Sequence, residues 1–300
     1  MTNGQLAYKI IEELQPLYGE REARALQRYL FTSLGNKSLL DWLMIENESV
    51  NEVFKTQILQ ALDDLKNFKP VQYISGEVEF CNLKFDVTPD VLIPRPETEE
   101  LINIIVNRSD PNAGYNILDI GTGSGIIAIS LAVKLANSVV HALDISKEAL
   151  SVASGNSIKN NVNVEFINFD ILNYYNYRPD SQNVHHSEGK YLDSNLLYDI
   201  IVSNPPYVKE SEKSIMSQNV LRYEPPIALF VPDNEPLLFY SAIINFAKKH
   251  LTSYGMLYFE INEKEDGNFK SLLEYRGFGD VEIYTDFNDK PRFISAKKLM

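Results

Sequence analysis

From Gln5 to Phe68 apolar residues return every three or four places: Leu6, Ile10 and Leu14, then Leu26, Leu30 and Leu34, then Val53, Ile58, Leu62 and Leu65. That spacing stacks them on one face of a helix. Gly19, Gly35 and the polar run Glu46 to Ser49 interrupt it, so the pattern predicts a bundle of about four helices with Trp42 as a core anchor. The period then changes. Val71 to Phe80 and Leu83 to Val87 read as strands around a Cys81-Asn82 turn. Pro94 and Pro96 force an extended path, and Glu97, Glu99 and Glu100 favour the positive end of a helix over Glu97 to Val106. On local physics alone this is a linker followed by a well-started helix.

From Tyr115 onward short apolar runs alternate with helical ones. Strands are predicted at Asn116 to Ile120, Val139 to Leu143, Asn163 to Asn168, Ile200 to Ser203 and Met256 to Ile261. Helices are predicted at Ile126 to Leu135, Lys147 to Ile158, Leu237 to His250 and Phe269 to Tyr275. Such alternation marks a parallel sheet with crossover helices. Val281 to Thr285 and Arg292 to Lys297, joined by the polar turn Asp286 to Lys290, predict a terminal hairpin with one antiparallel edge strand. The polar interval from Asp170 to Asp199 is too long for an ordinary connection and predicts a surface insertion. Its neighbouring His185 and His186 lack any cysteine or Glu-x-x-His context, so no metal is expected there. The chain thus divides into a helical domain at residues 1–69, a hairpin linker at 70–96 and an α/β domain at 97–300. The helical part carries no catalytic pattern and suits either structural support or docking of a macromolecular substrate.

Composition narrows the partners. With 41 acidic and 28 basic residues among 300, the net charge is -13, which disfavours a ligand held through phosphates and hence a nucleic acid. Cys81 is the only cysteine, so no intrachain disulfide and no cysteine zinc site exist. No basic leader followed by an apolar run opens the chain, and no apolar stretch of about 18 residues occurs anywhere. The expectation is a cytoplasmic protein without a membrane partner.

Candidate chemistry sits at two strand ends. After Ile200 to Ser203 the prolines of Asn204-Pro205-Pro206-Tyr207 stop ladder and helix alike, leaving a stiff loop where open α/β sheets bind ligands. The Asn204 side-chain carbonyl and the Pro205 backbone carbonyl are acceptors, and Tyr207 offers a flat ring. Together they fit a planar group bearing an NH2, such as a carboxamide or a base amine, although the same string also makes a plain turn. Upstream, Gly121-Thr122-Gly123-Ser124-Gly125 follows Asp119 at the close of a strand and the start of a helix. Glycines at alternate positions let the backbone approach a ligand, and the free amides favour an anionic group. The spacing is Gly-x-Gly-x-Gly rather than the dinucleotide Gly-x-Gly-x-x-Gly, which points to a smaller nucleoside than NAD. Asp144, ending the second strand, is placed to accept ribose hydroxyls or to cap the helix from Ser146. Asp170, ending the third, is placed to accept an adenine amine, with Ile171 against the ring, or to serve a turn.

In this order the motifs resemble the class I S-adenosylmethionine-dependent methyltransferases, and Asn-Pro-Pro-Tyr resembles those acting on planar nitrogens. Pro70-Val71-Gln72-Tyr73-Ile74-x-Gly76, Ile93-Pro94-Arg95-Pro96-Glu97-Thr98-Glu99 and Arg222-Tyr223-Glu224-Pro225 are similar to the narrower family of peptide chain release factor glutamine N5-methyltransferases. The likeness runs from Pro70 to the C-terminus, and the Pro-Arg-Pro-Glu-Thr-Glu string overturns the linker reading. The resemblance implies a Rossmann-like, mostly parallel α/β sheet with an antiparallel terminal strand plus an N-terminal helical bundle that docks the substrate. It implies S-adenosyl-L-methionine as cofactor, S-adenosyl-L-homocysteine as product, and a monomer acting on the Gly-Gly-Gln glutamine of class 1 release factors, with no metal. Gly121, Thr122, Gly123, Ser124, Gly125, Asp144, Asp170, Ile171 and Asn204 would bind cofactor. Asn204, Pro205 and Tyr207 would act in catalysis and, with Pro206, hold the substrate. The runner-up is an adenine-N6 or guanine-N2 nucleic-acid methyltransferase, which would flip its base; a cofactor-binding module without catalysis is the third. Two departures stand out: the Tyr174 to Leu197 interval is longer than the family norm, and Glu260-Ile261-Asn262-Glu263 follows its pattern only loosely, so no role passes to those residues.

Overall fold

Thr2 opens the first helix with a reciprocal cap: its hydroxyl accepts from the Gln5 N–H while the Gln5 side chain accepts from the Thr2 N–H. The computed structural model describes residues 1–176, 195–263 and 266–299 and divides them into two units. The polar interval with Tyr177, His185 and His186 lies outside the described residues.

The first unit comprises residues 1–78, 87–89 and 216–224. It begins with α1 (Asn3–Tyr18), α2 (Glu20–Gly35), α3 (Leu39–Met44), α4 (Glu52–Lys66) and α5 (Val71–Ser75). Leu6, Ile10, Leu14, Leu26, Leu30, Ile58, Leu62 and Leu65 form its core, each contributing about 1.5–3 kcal/mol by leaving water. Trp42 stacks on Phe54 at 4.7 Å and donates its indole N–H to the Phe31 carbonyl at 2.9 Å. Val53 departs from the pattern. The Asn51 side chain accepts from the Val53 and Phe54 N–H groups, starting α4 there, and Phe54 takes the inward position while Val53 is 69% exposed.

Val71 to Ser75 is helical, not extended as its composition suggests. Pro70 sits just before the first turn with φ −56°, and Gly76 ends it in the left-handed region at φ 74°, its N–H reaching the Gln72 carbonyl. These stops outweigh the β-branched content. The expected strand shrinks to β1 (Glu77–Phe80), which pairs with β2 (Leu83–Asp86). Cys81 and Asn82 join them with φ 51° and 60°, the double left-handed turn that a two-residue hairpin needs.

The second unit, residues 79–86, 90–215 and 225–300, holds the sheet. After α6 (Glu97–Asn107) come β3 (Asn116–Ile120), α7 (Ile126–Lys134), β4 (Val139–Asp144), α8 (Lys147–Lys159), β5 (Glu165–Asn168) and β6 (Tyr198–Ser203). The short strands β7 (Val208–Lys209) and β8 (Phe230–Val231) pair in parallel, and between them in sequence lies α9 (Gln218–Tyr223), which belongs to the first unit. The chain closes with α10 (Leu238–His250), β9 (Leu251–Glu260), α11 (Asp266–Tyr275), β10 (Phe278–Thr285) and β11 (Pro291–Lys298).

Seven strands run in the order β10-β11-β9-β6-β3-β4-β5. β5, β4, β3, β6 and β9 are parallel, while β11 is antiparallel to both neighbours. The antiparallel strand is thus the last in the chain but lies inside the sheet; the edge belongs to β10. Ile117, Leu118, Ile120, Ile201, Val202, Leu257 and Phe259 are buried, as both-face coverage of a parallel sheet demands. From β3 the chain builds outward to β4 and β5, then returns to place β6 on the other side. Ligands bind beyond the carboxyl ends of strands at such a reversal. Here the Ser203 hydroxyl, fully buried, donates to the Ile120 carbonyl at 2.6 Å and ties the two strand ends together. Among the described residues no helix is long and apolar enough to cross a membrane.

Candidate active site

A cavity of about 290 Å³ opens at this reversal, and β3, β4, β5 and β6 each contribute residues that follow their carboxyl ends. Gly121 and Gly123 line it after β3, with φ 75° and 55° and nothing within 4 Å of where a Cβ would stand. Only glycine takes that backbone without strain and leaves that space open. The Gly121 and Thr122 N–H groups both donate to the Leu143 carbonyl, at 2.8 and 2.9 Å, pinning the loop to β4.

Asp144, at the end of β4, faces the cavity and also organises its wall: Oδ2 accepts from the Gly123 N–H and Oδ1 from the Ser146 N–H, both at 2.9 Å. Burial holds this carboxyl above the usual carboxylate range against the pull of those donors. The helix cap itself is Ser146, whose side chain accepts from the Ala149 N–H. Asp170 meets both of its readings, lining the cavity while accepting from the Leu172 N–H at 2.9 Å and the Asn173 amide at 2.6 Å. Ile171 beside it is buried and lines the same wall.

The rest of the glycine-rich run turns away from the cavity. Thr122 donates to Asp119 Oδ2 at 2.6 Å, and the Ala128 N–H donates to the same oxygen at 3.3 Å. Asp119 is fully buried and its carboxyl is pushed up to about 7, chiefly by that burial. The Ser124 carbonyl accepts from the Asn156 side chain at 2.9 Å. A Cβ on Gly125 would stand 2.9 Å from Ile129 Cδ1 and 3.1 Å from Ala153 Cβ, so this third glycine seats α7 against α8. Of the five run residues expected at the cofactor, Gly121 and Gly123 line the cavity, whereas Thr122, Ser124 and Gly125 build its support.

Asn204, Pro205 and Pro206 line the cavity directly after β6. Tyr207 does not. Its ring packs against the core below the sheet end, and its hydroxyl lies 3.4 Å from Glu260 Oε1. Glu260, the last residue of β9, is buried and also accepts from the Thr98 hydroxyl at 2.8 Å. Its carboxyl is pushed up to about 7, first by burial, against the pull of the Thr98 hydrogen bond and the Arg292 charge. Sequence reasoning gave Glu260 no role, although an acid directly after the apolar run Leu257 to Phe259, at the carboxyl end of a strand, was a legible signal. It also passed over Asp90, Val91 and Leu92, just ahead of the Pro94 string, and Ile227 and Phe239, all of which line the cavity.

A family described as methyltransferase domain matches residues 111–226. The solved T. thermophilus 16S rRNA N2 G1207 methyltransferase, in complex with AdoMet and guanosine, superposes with a TM-score of 0.51 at 17% identity over 74% of this chain and 49% of that one, a likeness of fold alone. Sheet order, the cavity at the strand reversal and the domain match define a class I methyltransferase. Within that class the similarity is close and nearly full length. The release factor glutamine methyltransferase of Bacteroides thetaiotaomicron is 38% identical over 96% of this chain and 98% of its own length. Those of Flavobacterium psychrophilum, at 37% with 96% of each chain covered, and Lactococcus lactis, at 38% with 96% and 99% covered, agree. The chain belongs to the release factor glutamine methyltransferase family.

Proposed function

We propose that this enzyme transfers the methyl group of S-adenosyl-L-methionine to the side-chain nitrogen N5 of the Gly-Gly-Gln glutamine in class 1 peptide chain release factors. The observation that carries it is that Asn204 and Pro205 line the same cavity as Gly121, Gly123 and Asp144, so one space serves donor and acceptor. The residues fit such a cofactor. The Gly121 and Gly123 backbone stands clear of any side chain, Asp144 keeps lone pairs for ribose hydroxyls, and Asp170 with Ile171 suits an adenine amine and ring. The chemistry the cofactor supplies when bound is an electrophilic methyl on a sulfonium, with S-adenosyl-L-homocysteine as product.

The chain's own task is to make an amide nitrogen reactive. Its lone pair is delocalised into the carbonyl, so orientation and electrostatics must do what basicity does not. Accepting one N–H on the Asn204 carbonyl and the other on the Pro205 carbonyl fixes the amide plane and leaves electron density facing the methyl. Pro205 brings no N–H of its own to compete. The first unit, which carries none of this chemistry, serves as the docking domain, and the enzyme works as a cytoplasmic monomer.

Incubating the full chain with labelled cofactor and either a class 1 release factor or nucleic acid tests the reading. Mass spectrometry of the tryptic Gly-Gly-Gln peptide should show one methyl on the glutamine. Labelled nucleic acid with unlabelled release factor would establish the base-methylating alternative instead.

A further inference from the structure

Three stretches that lie far apart in sequence meet at one buried carboxylate. Thr98, from the Pro-Arg-Pro-Glu-Thr-Glu string at the start of α6, donates to Glu260 Oε2 at 2.8 Å. Tyr207, the last residue of the Asn-Pro-Pro-Tyr loop, places its hydroxyl 3.4 Å from Oε1. The backbone of Glu260 is itself immobilised: Tyr240 donates to its carbonyl at 3.0 Å, and the next N–H, of Ile261, donates to the Arg292 carbonyl at 2.8 Å. An acid fixed at both main chain and side chain makes a stiff anchor. None of this touches the cavity, to which the loop after β6 contributes Asn204, Pro205 and Pro206 but not Tyr207.

Burying a carboxylate in this position works against folding, because the charged form loses its hydration. A glutamine or leucine would fill the space without that penalty. What the acid supplies in return is two acceptor oxygens, one for each hydroxyl. Tyr207 follows Asn204 by three residues with two prolines between, and proline fixes φ, so a restraint on the Tyr207 ring is transmitted to the Asn204 amide and the Pro205 carbonyl. A 3.4 Å contact is long for O–H···O, and catalytic contacts are commonly loose before substrate binds and tighten afterwards.

We propose that Glu260 is a positioning residue for methyl transfer, holding Tyr207 and Thr98 so that the two acceptors after β6 meet the target amide in register. This rests on the glutamine-methylating reading above, and it predicts an effect on turnover rather than on binding. The charged and titratable groups around the carboxylate are Glu97 at the start of α6, Arg292 on β11, Tyr240 on α10, and Tyr207 itself.

The test uses the full chain and a class 1 release factor. E260Q keeps one acceptor and should lower kcat about tenfold; E260L removes both and should lower it about a hundredfold, the scale of a misplacement of about 1 Å. KM for the release factor and the calorimetric Kd for S-adenosyl-L-methionine should stay within about threefold, which a general loss of folding would not allow. Because the acid acts through Tyr207, Y207F combined with E260Q should lose little more than the worse single variant. A readout independent of turnover is the Tyr207 ring resonance, assigned by its disappearance in Y207F: it should shift or broaden in E260Q. Unchanged resonance in E260Q, multiplicative losses in the double variant, or kcat within twofold of wild type would each overturn the assignment. A wild-type enzyme that leaves release factor unmethylated while the resonance still responds to E260Q would instead remove the substrate reading and keep the anchor.

Discussion

Asn204 and Gly125 show how differently two residues of one site act. Asn204 lines the cavity, and on the proposed reading Asn204→Ala removes an acceptor for the target amide. Losing one such preorganised group lowers kcat by about 10²–10³-fold. Cofactor affinity, which on the same reading draws on Gly121, Gly123, Asp144 and Asp170 as well, should change far less; steady-state kinetics beside calorimetry would separate the two. Gly125 touches no ligand space. Gly125→Ala brings a Cβ within 2.9 Å of Ile129 and 3.1 Å of Ala153 at φ 84°, so overpacking and left-handed strain add to about 2–4 kcal/mol of lost stability. Gly121→Ala, at φ 75° in open space, should cost only the strain, about 1–2 kcal/mol, yet weaken cofactor binding more. Urea unfolding ranks the pair by stability and calorimetry ranks them the other way. The same ranking by both methods would contradict this division of labour.

At the scale of elements, the loop after β3 is held by the strand beside it, and Asp144 is the joint. Its two oxygens accept from Gly123 and Ser146, shaping the turn and starting α8, while the same carboxylate faces the cavity. Asp144→Ala therefore removes two backbone restraints and, on the proposed reading, a ribose acceptor with them. It should raise the Kd for cofactor by more than tenfold, with kcat at saturating cofactor falling less; the reverse pattern would place Asp144 in the chemical step. These elements were largely legible. Alternation of short apolar runs with helical ones marked β3 to β6 and their helices, because a parallel sheet buries both faces and writes itself as continuous Ile, Leu and Val. The carboxyl-end positions of Gly121, Asp144, Asp170 and Asn204 followed from the strands. What failed was set by geometry that local composition does not encode. Val71 to Ser75 is β-branched enough to read as strand, but Pro70 and Gly76 bracket a single helical turn. The fate of Tyr207 depended on Glu260, 53 residues later, whose reach to the Asn-Pro-Pro-Tyr loop exists only once β6 and β9 pair. The inner place of β11 likewise is a matter of tertiary pairing, since a hairpin's sequence does not say which of its strands meets the sheet.

For the molecule as a whole, the buried acids that serve the site set how stability depends on pH. Asp119 and Glu260 are both held near 7 in the folded protein, against 3.8 and 4.5 for ordinary side chains, in each case chiefly by burial. Between those values the folded chain keeps two protons that the unfolded chain has released, so stability falls as pH rises from about 4 to about 7. At 1.36 kcal/mol per pH unit, Asp119 costs about 4 kcal/mol and Glu260 about 3 kcal/mol by neutrality. Self-repulsion adds the same sign above the isoelectric point near 4.8, because the chain grows steadily more negative until it reaches -13 at pH 7. Acids held low act with the opposite sign: Glu13, Asp41, Asp233, Glu282 and Asp286, of which Glu13 and Glu282 pair with Lys66 and Arg108 at substantially exposed positions and are worth little. Equilibrium urea unfolding should therefore give a free energy that declines from pH 5 toward pH 7.5. Glu260→Gln removes one of the two titrations, so its curve should be flatter and should cross above wild type at neutral pH, even as methyl transfer slows. A wild-type profile that is level or rising between pH 5 and 7 would mean that neither acid carries its proton into the folded state. It would also mean that water reaches Asp119 and Glu260 more freely than their buried positions allow.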